Sequence, residues 1–116
     1  MHELTLAASL LDLTEEHARK SGLGRVSRVY LALGALAPVD ETALAFGFEI
    51  ARHGTLAEAA ELCIERVAGR ASCSACGQGG ETFEVEMRGE PCPTCGGFGW
   101  RLVEGGELRL TGLEGV

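Results

Sequence analysis

The sequence predicts an α+β fold: two helices packed on a three-stranded sheet, with a small β module inserted between the second strand and the third. Three observations carry that reading. Apolar residues recur with a helical period from Glu3 to about Lys20 and again after Asp40. The stretches 25–33, 61–67 and 107–113 alternate apolar and polar residues, as strands with one buried face do. Between the last two stand Cys73-Ser74-Ala75-Cys76 and Cys92-Pro93-Thr94-Cys95, with fifteen residues separating the pairs. That spacing lets four thiolates converge on one tetrahedral zinc ion, so the inserted module is expected to be zinc-ribbon-like.

On the first helix, Thr5, Ser9, Asp12, Glu16 and Arg19 form one polar wedge. Leu4, Leu6, Ala7, Ala8, Leu10, Leu11, Leu13 and Ala18 cover most of the remainder, which predicts deep burial. Glu15 with Arg19 and Glu16 with Lys20 are favourable i,i+4 pairs, and Gly22 supplies a left-handed cap. The first strand puts Val29, Leu31 and Leu33 on one face and Arg28, Tyr30 and Ala32 on the other. Pro38 lies in the connection that follows, and Asp40 caps the second helix. Gly54 stops that helix, and Thr55-Leu56-Ala57-Glu58 is a capping-box pattern for one further turn.

The second strand, 61–67, turns Leu62 and Ile64 inward. Within the module, 81–87 alternates Phe83, Val85 and Met87 against glutamates, and 99–104 sets Trp100 beside Leu102. The final strand, with Leu108 and Leu110, has nothing left to pair with there, so it returns to the first sheet. The expected division is therefore residues 1–70 plus 107–116 for the helix-and-sheet domain and 71–106 for the inserted zinc-binding domain.

The cysteines admit two other readings, a pair of disulfides or a redox dithiol. With no secretory signal ahead of them the thiols are expected to stay reduced. A redox Cys-x-x-Cys would open a helix after a strand, and one such motif would suffice. Gly77 and Gly96 follow the second cysteine of each pair, where a knuckle turns sharply, and Pro91 and Pro93 stiffen the loop around Cys92. A module of about 35 residues has too little core to fold without such a staple.

The 116 residues carry a net charge of −7, and thiolate–zinc binding makes it more negative. Such a chain repels phosphate backbones, which argues against nucleic acid as the partner. No run of roughly 18 apolar residues is present to span a membrane, and the cytoplasm is the expected compartment. No nucleophile–base pair, phosphate loop or paired acid/base carboxylates stand out, so enzyme activity is not expected. Cys63 reads as a small packed residue, His17 as partly buried on its helix, His53 as a cation at a helix end and Asp40 as a cap rather than a ligand.

The start, Met1-His2-Glu3, is the second unusual feature. The Met1 amine, the amide nitrogens of His2 and Glu3 and the His2 imidazole can form fused chelate rings around one ion. Four nitrogens in a plane suit Ni(II) or Cu(II), whereas zinc prefers a tetrahedron. His2 is too bulky for removal of the initiator methionine, so Met1 is expected to remain.

Taken with Arg28-Val29-Tyr30-Leu31-Ala32-Leu33-Gly34, Phe46-Gly47-Phe48-Glu49, Ala60-Glu61-Leu62-Cys63-Ile64-Glu65 and both cysteine pairs, this start resembles the HypA/HybF family of hydrogenase-maturation nickel metallochaperones over nearly the whole chain. The resemblance implies Ni2+ at the amino terminus, bound by His2 with backbone nitrogen from Met1 and Glu3. It implies structural Zn2+ on Cys73, Cys76, Cys92 and Cys95. It also implies a HypB-type GTPase and the [NiFe]-hydrogenase large subunit as partners, with urease maturation factors served by some members. The competing reading is a zinc-stabilised protein-interaction adaptor with no nickel function.

Overall fold

The structure is a computed structural model that describes residues 3–73 and 82–116. Helix α1 (Glu3–Lys20) leads into β1 (Val26–Gly34), α2 (Glu41–Ala51), β2 (Glu61–Val67), β3 (Gly69–Cys73), β4 (Thr82–Val85), β5 (Trp100–Glu104) and β6 (Leu108–Gly115). The strands form two three-stranded sheets, one in the order β2-β1-β6 and the other β4-β3-β5. The last strand thus joins the first sheet beside β1, as its lack of a partner inside the module required. Contacts divide the chain into two compact units, one of Met1–Leu31, Val39–Glu65 and Arg109–Val116, the other of Ala32–Pro38 and Arg66–Leu108.

In the first unit α1 buries Ala7, Leu10, Leu11, Thr14 and Ala18, a stripe one helical row wide. Leu4 and Leu13 are exposed at 55% and 38%, and Ala8 is exposed too. The buried face is therefore narrower than the apolar cover of Leu4, Leu6, Ala7, Ala8, Leu10, Leu11, Leu13 and Ala18 predicted. Thr14 sits within the stripe because its hydroxyl donates to the Leu10 carbonyl at 2.8 Å, which satisfies the one polar atom it brings inside. The helix ends in a Schellman turn: Gly22 has φ +76°, and the Leu23 N–H donates to the Ala18 carbonyl at 2.8 Å.

Asp40 caps α2 by accepting the Ala43 N–H at 3.0 Å, and Leu44 and Phe48 on the next turns are buried. The capping-box stretch after it forms turns instead of a helix. There Glu58 accepts the Gly54 N–H at 3.0 Å and Thr55 Oγ1 donates to Arg52 O at 2.7 Å. Strand β1 is one-sided only at its start. Leu31, Ala32, Leu33 and Gly34 are all buried, so the second half of the strand is covered on both faces. On the open part, Arg28 lies between Glu61 of β2 at 3.2 Å and Glu114 of β6 at 3.4 Å, a charge row across three strands.

The second unit holds a strand that the alternation of large side chains did not reveal. β3 pairs antiparallel with β4 and with β5, and it buries Gly69, Ala71 and Cys73 in turn. Those residues are too small to register as an apolar pattern. Ala71, Val85 and Leu36 make its core, with Phe83, Trp100 and Leu102 packed against them. Phe83 and Trp100 meet edge to face, with ring centroids 6.3 Å apart. Met87, expected on the same face as Val85, is 63% exposed instead. The strand stops at Val85, and the Glu90 carboxylate accepts the Glu86 and Met87 N–H groups, each at 2.8 Å, turning the chain away.

Three glycines in this unit permit backbones to touch. A Cβ on Gly34 would lie 2.2 Å from the Gly105 carbonyl oxygen, and one on Gly69 would lie 2.3 Å from Leu36 Cδ1. Gly105, at φ +89°, would meet Ala68 O at 2.5 Å. Gly105→Ala is therefore expected to cost about 2–4 kcal/mol, from a left-handed dihedral and a backbone clash together. Gly24→Ala, whose Cβ finds nothing nearer than 3.9 Å, serves as the near-neutral control in the same denaturant titration.

Candidate metal centre

β3 delivers Cys73 at its last position, buried, opposite Trp100 on β5. The loop ahead of β5 delivers the second pair. The Gly96 N–H donates to the Cys92 carbonyl at 2.8 Å, and the Cys92 N–H donates to Gly97 O at 2.8 Å. Gly96 takes φ +72° there, the turn expected of the residue after a knuckle. Trp100 Nε1 donates to the Glu90 carbonyl at 2.6 Å, which ties the loop to β5 from its other end.

The outcome is a cluster of sulfurs. Cys73, Cys92 and Cys95 present Sγ atoms that all lie within 4.8 Å of one another. Cys73 Sγ and Cys95 Sγ are 3.8 Å apart. A tetrahedron with metal–sulfur bonds of about 2.3 Å has edges of about 3.8 Å, so this separation fits two ligands of one zinc ion. It is far longer than the roughly 2.05 Å of a disulfide. Cys76, the fourth predicted ligand, lies outside the described residues.

The cluster is prepared for anionic sulfur. The Cys92 thiol is drawn from the ordinary 9.0 down to about 7, first by the Cys95 N–H directed at it and further by the Thr94 N–H and the neighbouring thiols. Burial opposes this but does not prevail. Cys92 is 2% exposed, Cys73 is buried and Cys95 faces solvent. Only thiolates bind the metal, so a lowered thiol pKa favours uptake near neutrality.

Met1 and His2 also lie outside the described residues. Glu3 begins α1, and its carboxylate accepts the Asp40 N–H at 3.2 Å. That bond is the first cause of a carboxyl pKa held below the usual range. Two residues 37 positions apart are thereby joined at the starts of two helices, a link that no local pattern in the sequence could reveal. Asp40 meanwhile uses its own side chain as a cap. Of the remaining candidates, Cys63 is half-buried on β2 and His53 is exposed. His17 is exposed rather than partly buried, because it lies off the Ala7–Leu11–Thr14–Ala18 row. It borders a groove of about 780 Å³ with Ser21, Leu23 and β6.

Similarity to known proteins covers the chain nearly end to end. A family profile described as "Hydrogenase/urease nickel incorporation, metallochaperone, hypA" matches residues 1–115. The hydrogenase maturation factor HypA of Aeromonas salmonicida is 38% identical over 114 residues, 98% of each chain. The hydrogenase maturation factor HybF of Klebsiella pneumoniae is 40% identical over 115 residues, 99% of each. Among solved structures, the solution structure of the Ni metallochaperone HypA from Helicobacter pylori superposes with a TM-score of 0.74 at 28% identity, covering 100% of this chain and 98% of that one.

The thiol chemistry sets a pH dependence. In the metal-free protein, the lowered Cys92 pKa contributes stability that is fully present above pH 9.0 and is lost as the pH falls through about 7. Metal affinity follows the same sign, because protons compete for the ligands. A chelator competition with Zn2+ is expected to show affinity falling roughly tenfold or more per pH unit below about pH 7. Cys92→Ala is expected to lose tight binding at every pH. An affinity indifferent to pH would remove Cys92 from the ligand set.

Proposed function

The chain belongs to the HypA family of nickel metallochaperones for hydrogenase maturation, and from that premise we propose that it carries Ni2+ at its amino terminus and keeps Zn2+ on Cys73, Cys76, Cys92 and Cys95. The observation that carries the zinc assignment is the 3.8 Å approach of the Cys73 and Cys95 sulfurs within a cluster of three. With four thiolates around it, zinc has no open position for substrate and acts as a staple for the second unit. Residues 71–106 serve as the zinc-binding domain, and 1–70 with 107–116 as the domain that carries the cargo.

Nickel is the cargo, and its reading rests on the family together with the chemistry of the tripeptide. His2 supplies the imidazole, Met1 its amine, and His2 and Glu3 their amide nitrogens. Each amide must lose a proton to bind, so uptake strengthens with pH, and a proton or a competing ligand from a partner releases the ion. The bond from the Asp40 N–H to the Glu3 carboxylate supports this arrangement, because it anchors the residue next to His2 in sequence. Release is directed to a HypB-type GTPase and to the [NiFe]-hydrogenase large subunit, with urease maturation factors as a further destination. The work takes place in the cytoplasm, and the chain performs no catalysis of its own.

Calorimetry with Ni2+ on zinc-loaded protein tests the assignment. One nickel is expected to bind with zinc retained, since thiolates hold zinc and planar nitrogens hold nickel. A glycine added before Met1 turns the amine into an amide and is expected to abolish specific binding, as is His2→Ala. The His17→Ala/His53→Ala protein keeps full affinity. Full-strength binding by the extended protein or by His2→Ala would refute the N-terminal site, and one-for-one loss of zinc would refute the separation of the two metals.

A further inference from the structure

The first unit carries an apolar patch that its own core does not use. Phe46 and Ile50, one turn apart on α2, are 64% and 48% exposed, and Leu4 in the first turn of α1 is 55% exposed. Gly47 brings the two helices together at this point. A Cβ there would stand 3.3 Å from Leu4 Cα and 3.4 Å from both Ala7 Cβ and the Glu3 carbonyl oxygen. Phe46, next to Gly47, and Ile50, one turn further on, therefore lie together on one side of the position at which the first turn of α1 meets α2. Large exposed side chains gathered in this way mark interaction surfaces more often than isolated ones do.

Charge decides what fits. From Glu3 to Glu16, and from Asp40 to Ala51, every charged side chain is acidic. Asp40 and Glu49 face solvent. A second copy of the chain would bring acid against acid, a pairing that interfaces avoid. A surface with an apolar ridge flanked by lysine or arginine complements both properties. We propose that Leu4, Phe46 and Ile50 form the docking surface for the protein that accepts the metal, and that the acceptor meets it with such a basic-rimmed ridge. This rests on the reading that nickel is held by the residues just before Leu4. An ion can pass directly between two proteins only if the receiving surface closes around that first turn.

The test measures complex formation in solution, by sedimentation, between the zinc-loaded chain and the purified nickel-free [NiFe]-hydrogenase large subunit. It is run with the chain nickel-free and nickel-loaded. The unaltered chain is expected to bind, and Phe46→Ser/Ile50→Ser to weaken binding roughly tenfold or more. Glu49→Lys is expected to weaken it severalfold at low salt and less at high salt. Val103→Ser, a similar change at an exposed valine of the second unit, leaves binding unchanged. Zinc content, melting temperature and nickel stoichiometry stay at the unaltered values in every variant. Equal binding by the double variant, absence of any complex, or a dimer of the chain that the double variant turns into a monomer would each overturn the proposal. A chain that docks but takes up no nickel overturns the carrier reading and the role given to this surface. One that takes up nickel but does not dock overturns the docking surface alone.

Discussion

The second unit depends on backbone meeting backbone at Gly34, Gly69 and Gly105. At each of the three a methyl group would lie within 2.6 Å of another heavy atom, and at Gly34 and Gly105 the nearest is main chain. Hydrogen bonds use this closeness. The Leu36 N–H donates to Gly105 O at 2.9 Å, the Ala35 N–H to Val67 O at 2.8 Å and the Gly34 N–H to Glu107 O at 2.9 Å. Leu36 is thereby laid over Ala71 and Val85 and closes a core that would otherwise lack one wall. A residue far from the module in sequence is thus part of the core that β3 packs into, and β3 is the strand that ends in Cys73.

The metal centre continues the same logic at the other end of β3. A core built on Leu36, Ala71 and Val85 is small, and the aromatic pair Phe83–Trp100 adds one edge-to-face contact. A domain with so little to bury gains from a cross-link, and the cluster of Cys73, Cys92 and Cys95 sulfurs is where a bound metal would supply one without an oxidant. The knuckle offsets part of the charge in advance, since the Cys95 and Thr94 N–H groups point their positive ends at Cys92.

Much of this was legible in the sequence because it is written in strong local signals. The 3.6-residue period gave α1 its full extent, Asp40 marked the start of α2, and the cysteine spacing pointed to the cluster that Cys73, Cys92 and Cys95 form. The orphaned alternation of 107–113 placed β6 back beside β1, a long-range pairing deduced from the absence of any nearer partner. Three things were hidden for separate physical reasons. β3 buries glycine, alanine and cysteine, whose burial leaves little trace in hydropathy. Leu4 and Leu13 are apolar but exposed, because a helix touching one sheet and one neighbour can bury only part of its circumference. The Glu3–Asp40 bond joins residues that are close only after two helices have packed.

The order β2-β1-β6 has a consequence for how the molecule is made. Translation delivers β1 early and β6 last, with the whole cysteine-bearing stretch in between. Until β6 emerges, a nascent chain can pair β1 on one side only and presents a raw edge of unpaired N–H and C=O groups on the other. β1 therefore gains its second neighbour only once β6 is made, and a ribosome that stops short of β6 leaves a product with an open β1. Such a fragment is a substrate for proteases and chaperones, so only a chain translated through to β6 passes beyond their reach as a finished carrier.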